Sequence, residues 1–157
     1  MRASRHFAVR FPCIEAEFDS LPMRAGIADA AIFNASLHYS SDLDRTFREL
    51  LRIVKPGGLI AVVDSPIYRD ATSGHQMVFE QHADFESRFG DRSDRLASVG
   101  FLTFDDLDRL ARRFGLAWSI SRPWYGWRWA ARPIIARALG RREPATFAIV
   151  HARRPPD

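Results

Sequence analysis

Lysine is almost missing from this sequence: of 23 basic residues only Lys55 is lysine, and the other 22 are arginine. Cysteine is as scarce. The single Cys13 excludes an internal disulfide and any multi-cysteine zinc site, and it fits a reducing compartment. No apolar stretch approaches the ~18 residues that a transmembrane helix needs. The first ten residues contain Arg2, Arg5 and Arg10 and no apolar core, so no secretory signal is expected and the cytoplasm is the expected location. His6, His75, His82 and His151 have no ligand-like spacing, and no metal site is expected.

What is present describes one ordinary folding unit. The 157 residues are 46% hydrophobic and 27% charged, which excludes a disordered tail, and a chain of this size buries about 70% of its unfolded surface. The expectation is a single domain over residues 1–157. Charge is distributed unevenly. Residues 122–142 hold six arginines and no acid; subtracting that +6 from the chain's +4 leaves −2 for the rest. The basic character is therefore local, and the overall excess is no argument for nucleic-acid binding.

Strand and helix signals alternate along the chain. Residues 13–18 alternate like a short strand, ended by Leu21-Pro22. Ala28 to Asn34 is a small, mostly apolar run, as expected of a strand buried on both faces. Ser40-Ser41 can cap a helix in which Leu43, Phe47, Leu50, Leu51 and Val54 share one face, and Lys55-Pro56-Gly57-Gly58 closes it. Residues 59–64 follow as a second buried strand, which makes a parallel crossover unit. Residues 69–74 read as a polar loop. Val78, His82, Phe85 and Phe89 keep helical spacing, with His82 read as a packed core histidine. Thr103 caps a further helix, with Asp105 and Asp106 in its first turn and Gly115 at its end. Residues 116–121 and 146–152 read as the last strands.

Three stretches in this order resemble a known family. They are residues 14–22 (Ile-Glu-Ala-Glu-Phe-Asp-Ser-Leu-Pro), residues 27–39, which end in Leu37-His38-Tyr39, and residues 47–58, which end in Lys-Pro-Gly-Gly. Together they are similar to the middle and later motifs of the class I S-adenosylmethionine-dependent methyltransferases of small-molecule type. The resemblance implies an α/β, Rossmann-like fold with a mostly parallel sheet and a C-terminal antiparallel strand. It implies S-adenosylmethionine as cofactor and a small molecule as methyl acceptor. Glu17 matches the acid that accepts from the adenine amine, with the Phe18 backbone beside it. Asn34 and Ala35 match the strand end at the methyl-transfer centre, and His38 matches a residue near the acceptor, a candidate catalytic base. From the residues alone, Glu17 also reads as a solvated strand-end acid, Asn34 as a strand terminator and His38 as a residue with no proton to move. Asp64 reads either as a ligand-side strand end or as a cap.

The family's glycine-rich cofactor loop has no counterpart here. None of the nine glycines forms a Gly-x-Gly, and too few residues precede Cys13 to supply the family's first strands and helix. The expectation is an N-terminally truncated or degenerate copy that binds the cofactor poorly, so enzymatic activity stays undecided. A non-catalytic half-domain for protein or surface contacts is the competing reading. The side of Ala28 to Asn34 that strand one would occupy is expected to lack its partner. Either residues 13–18 move across to pair with it, or the chain self-associates through the exposed edge. Residues 123–144 form an Arg/Trp-rich insertion. It reads as an insertion with its tryptophans packed on the domain, an acceptor lid, a membrane-surface contact or, last, a nucleic-acid patch; no nucleic acid is expected as a partner.

Overall fold

The computed structural model describes residues 12–91 and 96–156; His6 and the arginines of the first ten residues lie outside them. Its frame is a strand–helix–strand unit. Strand β1 (Ala28–Asn34) runs parallel to β2 (Val54–Val63), with Ile32 opposite Ala61 and Phe33 opposite Val62, and helix α1 (Leu43–Ile53) connects them. The apolar stripe of α1 is buried through Leu43, Phe47, Leu50 and Ile53. Asp42, not the expected serine pair, caps this helix: its carboxylate accepts the N–H groups of Asp44 and Arg45 at 2.9 and 3.1 Å. Gly57 and Gly58, expected as a turn before the strand, lie inside β2, where its pairing with β1 shifts register between Val54 and Leu59. Gly57 sits at φ 74°, and a Cβ on Gly58 would lie 2.9 Å from the Asp29 carbonyl oxygen.

Short β3 (Ile67–Tyr68) follows, then α2 (Ala71–Phe89), β4 (Leu102–Thr103) and α3 (Phe104–Phe114). Strand β5 (Ser119–Ser121) leads to two short helices, α4 (Trp127–Ala130) and α5 (Arg132–Ala138), and the last strand is β6 (Ile149–Arg153). The main sheet has the order β1-β2-β6-β5, and β3 pairs with β4 in a separate two-stranded ribbon. Strand β6 runs antiparallel to both β2 and β5. The sheet is therefore mixed rather than mostly parallel, because one antiparallel strand carries two of its three pairings.

The core lies on one face of this sheet. Phe33, Ile60, Val62, Val150 and Ala152 join Phe47 and Leu50 of α1 and Leu107 and Leu110 of α3 in one buried cluster. Thr103 and Asp106 form a capping box at the start of α3. Arg109 and Arg113 both reach Asp44 of α1, at 2.7 and 2.9 Å, and tie the two helices together. The opposite face is only partly covered: Ile32 remains 62% exposed. β1 is thus buried on one face, not two, because among the described residues no second layer covers Ile32.

Residues 13–18 do not form the expected strand. The chain reverses in a turn, with the Ser20 N–H on the Glu17 carbonyl at 3.2 Å. The next peptide groups are taken up by α1: Leu21 N–H donates to Glu49, and Arg52 donates to the carbonyls of Leu21 and Met23. These bonds hold the segment beside the helix, so it does not cross to pair with β1. Among the described residues the outer edge of β1 has no strand partner.

The expected polar loop at residues 69–74 is also overturned, since α2 begins at Ala71 with Asp70 as its cap. Its Gly74 allows Phe101 to lie on the helix; a Cβ there would sit 2.3 Å from the ring. Phe101 in turn meets Tyr68 edge-to-face at 5.7 Å, forming a small second core with Met77. Gly74→Ala should therefore lower the unfolding free energy by about 1–3 kcal/mol, the usual penalty of overpacking, despite alanine's better helix propensity. Urea unfolding followed by circular dichroism measures it, and an unchanged or raised midpoint would refute this packing.

Candidate functional site

Two adjacent parallel strands end together, and a site forms where they stop. The Ala35 N–H still donates to the Val63 carbonyl at 3.0 Å, after which both chains turn sharply. Ala35 and Asp64 take positive φ, 49° and 53°. Aspartate tolerates the left-handed region, whereas alanine there stores strain of the order of 1 kcal/mol or more, a cost that clusters at ligand sites. The carboxyl ends of parallel strands are also where open α/β sheets bind ligands.

Beyond Ala35 the chain makes a single 3-10 turn, Leu37–Tyr39, pinned by the fully buried Leu37. The turn is held from the other side too. The N–H groups of Val99 and Gly100 donate to the carbonyls of Ser40 and His38, each at 2.8 Å. His38 is thereby fixed between the turn and the loop after β2. Its Nδ1 lies 3.4 Å from the Oγ of the buried Ser65, a long contact, and its ring packs on Tyr39 with centroids 4.3 Å apart. Burial lowers the His38 pKa from its ordinary value, and the negative charge of Asp64 partly opposes that effect. His38 is accordingly held toward the neutral form.

In front of His38 opens a cleft of about 1020 Å³ between the turn, α2 and residues 96–100. Met77, Val78, Gln81 and His82 come from one side of α2, and Phe85 and Phe89 extend the same wall. The lining is mainly apolar with a few convergent polar groups, the usual make-up of a small-molecule site. The sequence pattern does not reveal Ser65, Met77 or Gln81. The α2 periodicity is the available signal, and it places His82 in a core; His82 instead lines the cleft and is only half-buried.

The other expected site residues lie elsewhere. Glu17 is exposed in its tight turn, and Phe18 packs edge-to-face on Phe33 at 5.9 Å. Asn34 is exposed at the end of β1, next to the half-buried Ala35. None of these four lines the cleft that holds His38. Among the described residues no group of three or more His, Cys, Asp or Glu is placed to hold a metal ion. No described helix is long and apolar enough to cross a membrane.

Comparison with known proteins shows what the fold is similar to. Residues 1–62 match the methyltransferase-domain family model. An S-adenosylmethionine-dependent methyltransferase from Thermotoga maritima superposes with a TM-score of 0.53 at 15% identity, covering 90% of this chain and 63% of that one. The geranyl diphosphate C-methyltransferase of Streptomyces coelicolor, solved with Mg2+, geranyl diphosphate and S-adenosyl-L-homocysteine, gives 0.57 at 17% identity, over 88% of this chain and 52% of that one. A methyltransferase from Methanosarcina mazei gives 0.54 at 12% identity, over 99% of this chain and 75% of that one. At these identities the likeness is one of fold: this chain shares the class I methyltransferase fold of those structures. It spans 63% of the Thermotoga structure's length. The β1-α1-β2 unit and the antiparallel β6 form part of that fold.

The half-buried His38, with its pKa lowered, makes a pH prediction. Its folded pKa lies below its unfolded value, so the unfolded chain binds the proton first as pH falls. The resulting stability is present above the ordinary histidine pKa of ~6.5 and falls away as pH drops from there to the folded value. His38→Gln should flatten that acid-side decline, read as melting temperature against pH. A decline of unchanged steepness in the variant would contradict the assigned environment.

Proposed function

We propose that these 157 residues hold the methyl acceptor of a class I methyltransferase, a small molecule with an apolar body, in the cleft in front of His38. The observation that carries this reading is the cleft itself, formed at the carboxyl ends of β1 and β2 and walled by α2, whose Met77, Val78, Phe85 and Phe89 supply its apolar lining beside Gln81, His82, Asp84 and Arg88. Held toward its neutral form, His38 is suited to accept a proton from an acceptor hydroxyl or amine seated against it, and Ser65 orients the ring. Tyr39, which packs on that ring, limits its rotation.

The cofactor half is a different matter. S-adenosylmethionine would supply an activated methyl group, but the described residues do not form a cradle for it. The sequence has no Gly-x-Gly, and Glu17, the residue matching the adenine-binding acid, is exposed in a turn whose backbone is bonded to itself and to α1. We therefore read these residues as carrying the acceptor side and, by themselves, no complete cofactor site. The uncovered edge of β1 supports self-association as part of this reading.

Two titrations test it. Calorimetry with S-adenosylmethionine should show no micromolar binding by the chain alone. An environment-sensitive apolar dye such as anilinonaphthalene sulfonate should bind in the cleft, and Gln81→Trp, which fills it from an exposed position, should weaken that binding about tenfold, or ~1.4 kcal/mol. Micromolar cofactor binding would refute the deficient cofactor site. Dye affinity unaffected by Gln81→Trp would refute the acceptor cleft.

A further inference from the structure

The segment between β5 and β6 is not absorbed by the acceptor cleft, and its surface is unlike the rest of the molecule. Residues 122–142 contain six arginines and no acid. Trp129 packs on Phe147, but Trp124 and Trp127 do not pack down on the domain as the simplest sequence reading expects. Trp124 is 75% exposed, Trp127 71% and Ile134 73%, with Tyr125, Ile135 and Leu139 also more than half exposed.

Helical hydrogen bonding runs through the joint between α4 and α5. The Ala131 N–H donates to the Trp127 carbonyl and the Ile135 N–H to the Ala131 carbonyl, each at 3.0 Å. The two short helices therefore keep one helical phase. Ala136 is the buried position and marks the side turned to the protein. Trp127, Ala131, Ile134 and Ala138 fall on the opposite side by their spacing, with Arg128 and Arg137 flanking them. An apolar stripe that faces outward between arginines is the reverse of an ordinary surface helix. It is the pattern of helices that lie in a lipid headgroup layer, where aromatic and aliphatic groups enter the acyl boundary and cations meet the headgroups.

The arginines are arranged for that use. Arg122, Arg128 and Arg132 lie over the rings of Phe104, Trp127 and Trp129, at 5.3, 5.6 and 3.9 Å from the centroids. Arg142 is neutralised by Glu80 at 2.7 Å. Among the described residues, none of the other five is ion-paired with an acid, so a field of about +5 surrounds the apolar stripe. We propose that the 122–142 segment docks this protein onto an anionic lipid surface. Charge complementarity names the occupant. The aliphatic member of the outward side decides against nucleic acid, because Ile134 offers nothing to stacked bases but fits the acyl boundary. The proposal is independent of the acceptor reading, and none of its residues lines the cleft at His38.

Co-sedimentation with vesicles of phosphatidylcholine, with and without phosphatidylglycerol, tests it on the intact chain. The protein should pellet with the phosphatidylglycerol vesicles alone, its tryptophan emission should shift to the blue, and binding should weaken as salt rises. Each arginine near the surface is worth roughly fivefold in partition. The double variants Trp124→Ala/Trp127→Ala and Arg128→Glu/Arg137→Glu should each lose at least about tenfold, with melting temperature as the check that they fold. Quenching of the native protein's tryptophan fluorescence by brominated lipid needs no variant and should be strong. No pelleting at low salt, no quenching, or partition unchanged in the folded variants would overturn the proposal. So would a single-stranded oligonucleotide that binds the chain and displaces it from the vesicles.

Discussion

The parallel pairing of β1 with β2 is the constraint on which the rest depends. Parallel neighbours must be joined by a crossover, and α1 supplies it with its apolar stripe turned to the sheet. The pairing also brings two strand ends to one level, so Ala35 and Asp64 turn the chain side by side. The 3-10 turn that carries His38 and the buried Ser65 leave from those two points. Without the shared register there is no reason for His38 and Ser65, 27 residues apart, to lie within 3.4 Å.

The same frame explains why one side of the sheet is closed and the other is not. On the β2 side, β6 continues the ladder and α3 closes the core through Leu107, Leu110 and the Asp44 ion pairs. On the β1 side, residues 17–26 are committed to α1 by Glu49 and Arg52. That leaves Glu17 facing solvent and Ile32 uncovered. The residues that match the family's cofactor site sit where this packing stops.

Much of this is legible in the sequence, for local reasons. Helical spacing from Leu43 to Leu50 and the Thr103 cap are each decided within a few residues and are found as read, whereas Val54 to Gly58, read as the helix end and a turn, belong to β2. The departures are decided elsewhere in the fold. Residues 13–18 alternate like a strand, but alternation supplies no partner, and α1 competes for the neighbouring backbone groups. Gly74 has the character of a loop residue and is in a helix because Phe101 needs its missing Cβ. His82 keeps core spacing, yet the space in front of it is a cleft. Of the site, His38 is visible through its motif. Ser65, Met77 and Gln81 are not, since only the tertiary arrangement of α2 against the strand ends brings them together. The exposure of Trp124 and Trp127 is equally unreadable, because aromatic residues are more often packed than presented.

The central claim is that the acceptor side of the site is formed while the cofactor side is not. Amide chemical-shift mapping tests it within one experiment on the isotopically labelled chain. Titrating an apolar aromatic alcohol should move the amides of His38, Tyr39, Val78, Gln81 and Gly100, and S-adenosylmethionine should move none of those at Glu17, Phe18, Asn34 or Ala35. Saturable cofactor-induced shifts at these last four residues, with the cleft silent to the alcohol, would contradict the account.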